Sequence, residues 1–170
     1  MPSTLSKVLK LTYAAPDIDY VAELLSIRDA YVCATPRQRL SIIRQRLEDH
    51  HFGPNRLVTA VSAVEALARS LAMNHKAKSK KDIKKLYPKF KDRSPKTLVL
   101  EYLKVRGIDD PTTFFGEDTW RLFGYAVEYR NLLAHECTYL GLDKFPTLIK
   151  ACNEILNSLA KLGRVREKQT

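Results

Sequence analysis

No stretch of this sequence approaches the ~18 apolar residues that a membrane-spanning helix needs, so a membrane protein is not expected. The opening segment, MPSTLSKVLKLTYAAPDIDY, lacks the continuous apolar core of a secretory signal. Cysteine is scarce: Cys33, Cys137 and Cys152 are widely spaced, odd in number and outside any Cys-x-x-Cys pattern. That excludes a disulfide framework and a zinc-ribbon site, and points to a reducing cytoplasm. There is no Gly-rich phosphate loop, no paired-carboxylate site and no His-Glu-x-x-His pattern, so neither a metal nor another cofactor is expected. Sustained period-2 alternation, hairpin dipeptides and β-branched runs are also missing, as is any internal repeat.

What is present is helical periodicity. Asp17 and Asp19 open an acidic first turn, followed by Val21, Leu24, Leu25, Ile27 and Val32. Thr35-Pro36 is a cap with proline at the first helical position, predicting a helix near 36–51. Gly53-Pro54-Asn55 breaks the chain, and a long helix is predicted over about 55–75, its stripe built from Leu57, Val61, Val64, Leu67, Ala68 and Leu71. Pro88 and Pro95 bound short helical pieces. Ser94-Pro95 starts a helix through Leu98, Leu103 and Val105 that Gly107 stops. Asp109-Asp110-Pro111 and Gly116 frame a loop. Two more helices are predicted, at roughly 118–139, ended by Gly141, and at about 144–162. The expected fold is one all-α domain over 1–170, a single antiparallel bundle of five to six helices with an ordered core over about 17–163.

The formal charge of +10 is unevenly distributed. Residues 76–96 carry nine Lys and one Arg against two Asp, a local excess of +8 within a basic insertion. Such a block attracts polyanions in a salt-dependent way, although a solvated connector has the same composition. The candidate RNA contacts are Lys80, Lys81, Lys84, Lys85, Lys89, Lys91 and Arg93. Tyr87 and Phe90 lie within the block, available either to stack on unpaired bases or to pin the segment to the core.

The candidate catalytic residues are Arg130, Asn131 and His135, within EYRNLLAHE. Arg followed by His after four to six residues is weak evidence alone; about one such match arises by chance in this composition, and Arg44, Arg46 and Arg69 supply others. Requiring Asn directly after Arg leaves roughly 0.03 expected by chance. Geometry adds an independent argument. At about 100° per residue, Trp120, Phe123, Val127 and Ala134 share one arc, widened by Leu122, Ala126, Leu133 and Cys137. Arg130 falls in the middle of it, where an arginine needs a partner. Glu65, at the edge of the stripe on the 55–75 helix, is the expected partner: such a contact would tie two helices together and, as an orienting carboxylate, would also preorganise the site. Asn131 and His135, four residues apart, share a face. Arg130 and His135 lie about 140° apart on a straight helix.

Other candidates fit ordinary structure. His50-His51 suits a polar helix terminus, His75 a last helical turn, Glu65–Arg69 an intrahelical pair and Cys137 core packing.

EYRNLLAHE, on a long helix of an all-α bundle, resembles the signature of the HEPN superfamily: Arg, a polar residue, then His. The specific match covers Arg130, Asn131 and His135; amphipathic helices before and after extend the looser likeness over about 55–162. The resemblance implies a metal-independent endoribonuclease, common among toxins and antiphage systems. RNA carries its own nucleophile, the 2′-OH. A histidine can exchange the proton, an arginine can stabilise the charged phosphorane, and Asn131 can orient His135 or donate to the phosphate. The products would be a 2′,3′-cyclic phosphate and a 5′-OH. Implied partners are RNA (single-stranded or tRNA), a second copy with motif helices facing, and an antitoxin protein. The alternatives are a non-catalytic HEPN-like module that binds nucleotide, RNA or a partner, and a plain helical scaffold.

Overall fold

The computed structural model describes residues 18–32, 53–137 and 145–165. The helix expected near 36–51, with Arg44, Arg46 and His50-His51, lies outside them, as do Asp17 and Cys33. The described residues form seven helices and no strand: α1 (Tyr20–Val32), α2 (Gly53–Lys76), α3 (Lys80–Phe90), α4 (Pro95–Val105), α5 (Pro111–Phe115), α6 (Glu117–His135) and α7 (Phe145–Leu162).

Beyond the five expected long helices that fall among the described residues, two short ones are present: α3, within the basic insertion, and α5, where a loop was expected after Asp110. Asp110 accepts from the Thr112 amide (2.9 Å) and hydroxyl (2.6 Å), and from the Thr113 hydroxyl. Pro111 then occupies the first helical position, so five residues suffice for a capped turn. These hydrogen bonds, led by that from the Thr112 side chain, lower the Asp110 pKa to about 2. Gly116, at φ 93°, ends α5 and passes the chain into α6.

Two prolines behave differently from the expectation. Gly53-Pro54 opens α2 rather than preceding it, since a helix start does not use the amide that proline lacks. Pro88 lies inside α3 instead of bounding it. Only the last turn follows it, and the Lys91 amide still donates to the Tyr87 carbonyl at 2.9 Å. At its other end α3 is fastened by Ser79, which accepts from the Asp82 amide (3.3 Å), while Asp82 accepts from the Lys78 amide (3.1 Å).

The long α2 is central, packing against α3, α4, α6 and α7. Its five alanines favour helix and admit neighbours closely. Leu57, Val61, Val64, Ala68 and Ala72 are buried, whereas Leu67 and Leu71 are only partly buried against the same core. The Ser94 cap of α4 accepts from the Thr97 amide at 3.1 Å, and Gly107, at φ 76°, stops that helix as expected. On α6, Trp120, Phe123, Ala126, Val127, Tyr129, Leu132 and Leu133 are buried. Tyr129 extends this face because α1 packs there: Tyr20 stacks on Tyr125 at 4.9 Å and meets Tyr129 edge-on at 6.3 Å. Thr119 of α6 donates to Glu154 of α7 at 2.7 Å.

The motif helix is shorter than expected. It ends at His135, with Glu136 as its cap and Cys137 at φ 48° just beyond. A left-handed backbone at a residue with a Cβ costs on the order of 1–2 kcal/mol. No glycine marks this stop, which explains why residue 139 and Gly141 looked like the end.

Candidate active site

The site is built where α6 crosses α2. Arg130 is flanked on its own helix by buried Ala126, Val127 and Leu133, so its guanidinium is carried into a mostly apolar contact. There its Nη2 donates to Glu65 Oε2 at 2.9 Å. The other carboxylate oxygen of Glu65 accepts from Nη2 of Arg69, one turn further along α2. The three side chains remain 20%, 19% and 17% exposed, for Arg130, Glu65 and Arg69 respectively. One carboxylate thus divides its two oxygens between guanidiniums from two helices, and a net charge of +1 is left in a largely dehydrated place.

The rest of the motif lies at the solvent edge. Asn131 and His135 are both exposed, and Ala134, which the arc places inside, is exposed as well. The buried part of α6 ends at Leu133. Among the described residues, Glu65 is the hydrogen-bond partner of Arg130, and no bond joins Arg130 to His135. The structure therefore brings Glu65 to Arg130, as the sequence suggests, and leaves Arg130 and His135 about 140° apart around the helix. Cys137 lies past the helix rather than in its apolar arc. Cys152 is in the core, where burial raises its thiol pKa to about 12.

The basic segment adjoins this cluster. Arg69 Nη2 also reaches the Lys91 carbonyl at 3.5 Å, tying the end of α3 to the Glu65 network. Lys81, Lys84, Lys85, Lys89 and Lys91 are exposed, and Lys80 begins the helix. Arg93 is engaged inside the fold: its Nε donates to the Lys89 carbonyl at 2.9 Å, its Nη1 pairs with Glu101, and its guanidinium lies 4.5 Å over the Phe90 ring. Phe90 is 2% exposed and pins α3 to the core, whereas Tyr87 is 48% exposed.

Arg69 is the residue that sequence reasoning undervalued. Glu65–Arg69 reads as an ordinary intrahelical pair, yet Glu65 also meets Arg130 of α6 and Arg69 also reaches the Lys91 carbonyl at the end of α3. At about 100° per residue Arg69 lies well outside the stripe of Leu57, Val61, Val64, Leu67, Ala68 and Leu71, so the angular test that singles out Arg130 does not mark it.

Among the described residues no group of three or more His, Cys, Asp or Glu could hold a metal ion, and no helix is long and apolar enough to cross a membrane. Comparisons with protein-family models, with curated proteins and with solved structures yield no match to this chain.

Proposed function

We propose that this chain is a HEPN-type, metal-independent endoribonuclease. The observation that carries the reading is the Glu65–Arg130 contact. The arginine of the motif is held half-buried by a carboxylate from another helix, while Asn131 and, at the end of the same helix, His135 are exposed. A guanidinium positioned before substrate arrives costs little reorganisation when charge builds on the phosphorane.

In the proposed reaction the 2′-oxygen attacks the adjacent phosphorus and the bond from phosphorus to the 5′-oxygen breaks. His135 takes the 2′ proton or supplies one to the leaving oxygen. Arg130 bonds the equatorial phosphate oxygens, and Asn131, one turn from His135, orients the imidazole or donates to the phosphate. One histidine does not serve both proton transfers in a single step. A second copy with its motif helix facing the first would bring another Arg130 and His135, and His135, exposed at the very end of α6, is accessible to such a partner. The α3 lysines would draw the strand in. A toxin or antiphage effector in the cytoplasm, restrained by an antitoxin protein, is the biological setting this chemistry suits.

The separation of Arg130 from His135 within one protomer favours a second reading, a HEPN-like module that binds nucleotide, RNA or a partner without cutting. One experiment divides the two. Single-stranded RNA and tRNA are incubated with wild type, Arg130→Ala and His135→Ala in the presence of EDTA. The nuclease reading expects 2′,3′-cyclic phosphate ends from wild type and a loss of about 10²–10⁴-fold in each variant. Cleavage that EDTA abolishes, or that His135→Ala retains in full, would sink it. RNA retention without cut products supports the binding module.

A further inference from the structure

We infer that Arg69 is a second phosphate-binding residue, holding the RNA strand next to the position where Arg130 acts. Calling the ligand an RNA strand rests on the ribonuclease reading; the phosphate chemistry does not.

The inference begins from an imbalance. Two permanent cations share one carboxylate, so the cluster is an uncompensated anion site of +1 rather than a neutral ion pair. Buried or half-buried charge is tolerated in proportion to its pairing, and this cluster is underpaired by one. Donor capacity is also unused. A guanidinium has five N–H donors. Among the described residues Arg130 bonds only Glu65, and Arg69 bonds Glu65 and, at 3.5 Å, the Lys91 carbonyl. The Nε of each arginine also lacks a hydrogen-bond partner, but it is shielded from solvent, so the donors open to an incoming phosphate are those of the Nη groups. An incoming phosphate offers both the missing negative charge and several acceptors, in a shape that guanidinium matches with two parallel bonds.

Position supplies the second argument. Arg69 stands between the two regions that the sequence treats as separate. On one side Glu65 fixes it beside Arg130; on the other, Lys91 ends the lysine-bearing α3. Arg69 therefore links the Glu65–Arg130 contact to the end of the lysine-bearing helix. Glu65 sets the spacing of the two guanidiniums and keeps the empty site from repelling itself.

The test is binding of a fluorescent single-stranded RNA with 2′-O-methyl sugars, which lacks the nucleophile and stays intact, measured by anisotropy across a salt series. Wild type, Arg69→Gln, Arg69→Lys and Glu65→Gln are compared, each checked for its melting temperature. Arg69→Gln is expected to weaken binding about tenfold and to reduce the salt slope by about 0.7, one phosphate contact on a single strand. Arg69→Lys keeps the charge and the slope, carries the test if the Gln variant does not fold, and loses only part of the affinity. Glu65→Gln should bind more tightly with a steeper slope while cutting unmodified RNA more slowly, a split that a purely structural role would not produce. Inorganic phosphate and a nucleoside monophosphate serve as competitors. If either displaces the RNA at submillimolar concentration from wild type but not from Arg69→Lys, the ligand is a free phosphate rather than a strand. Unchanged affinity and slope in both Arg69 variants would overturn the inference, whether or not wild type cleaves RNA. Weakened binding by Arg69→Gln together with absent cleavage by wild type keeps the phosphate site and removes the nuclease reading.

Discussion

The lysines of α3 and the guanidiniums at the α2–α6 contact are both cationic, yet opposite constraints hold them. Lys81, Lys84, Lys85 and Lys89 stand in solvent on a helix whose underside is anchored by Phe90. Their charges are screened within about 10 Å at 0.1 M salt and order nothing by themselves. Arg69 and Arg130 are fewer, but a carboxylate and apolar neighbours fix their direction. Numerous mobile charges raise the local concentration of a polyanion; a few oriented ones act on a particular bond. Under the proposed function the first region collects and the second positions.

The largest effect that sharpens this contrast comes from the anchor. Phe90→Ala should lower unfolding stability by about 3–5 kcal/mol, as for other buried aromatics. Tyr87→Ala, three residues away on the exposed side, should change it by no more than about 0.5 kcal/mol. Urea denaturation of the two variants decides the point, and equal losses would contradict the burial that separates them.

Next in size is the removal of the collecting charges. Replacing Lys81, Lys84, Lys85 and Lys89 together with Gln should weaken RNA binding about 10–100-fold near 0.1 M salt. The log–log salt slope should fall by about 3, close to 0.7 for each phosphate contact. The kinetic loss is expected chiefly in KM. An unchanged salt slope would show that these lysines meet no phosphate and end the division of labour.

The smallest effect concerns Asp110, a carboxylate that is fully exposed and nonetheless held by hydrogen bonds from Thr112 and Thr113. Its pKa is lowered from 3.8 to about 2. The stabilisation is therefore fully present above about pH 4 and fades as the pH falls towards 2. Thermal melts of wild type and Asp110→Asn should differ at pH 7 and converge near pH 2. A gap that persists there would mean that the carboxylate charge is not what holds α5. Such a group shows that exposure alone does not make a charge mobile.

The helical class and most of the helices are legible in the sequence because apolar spacing, Ser94-Pro95 and Gly107 speak directly to local structure. Position 65 as the partner of Arg130 is legible for a related reason: a cation at the centre of an apolar arc demands a carboxylate on the facing stripe. The missed features depend on what lies across the helix. Tyr129 is buried because α1 covers it, a fact no periodicity on α6 contains. The end of α6 rests on Cys137 adopting a left-handed backbone without glycine, so nothing in the residue types announces it. The Ser79–Asp82 start of α3 was legible, being a Ser-x-x-Asp pattern, but it is easily lost inside a run of lysines.

The divided carboxylate of Glu65 has a consequence for how this sequence can vary. Residue 130 is 65 positions from its partner, and residue 69 only four, yet the three form one thermodynamic unit. Losing Arg69 leaves a neutral pair, losing Arg130 leaves another, and losing Glu65 leaves two facing cations. The cost of each change therefore depends on which of the others has already occurred, and single-substitution effects at these positions will not add. Any lineage that alters residue 65 changes at once what is tolerated on two separate helices.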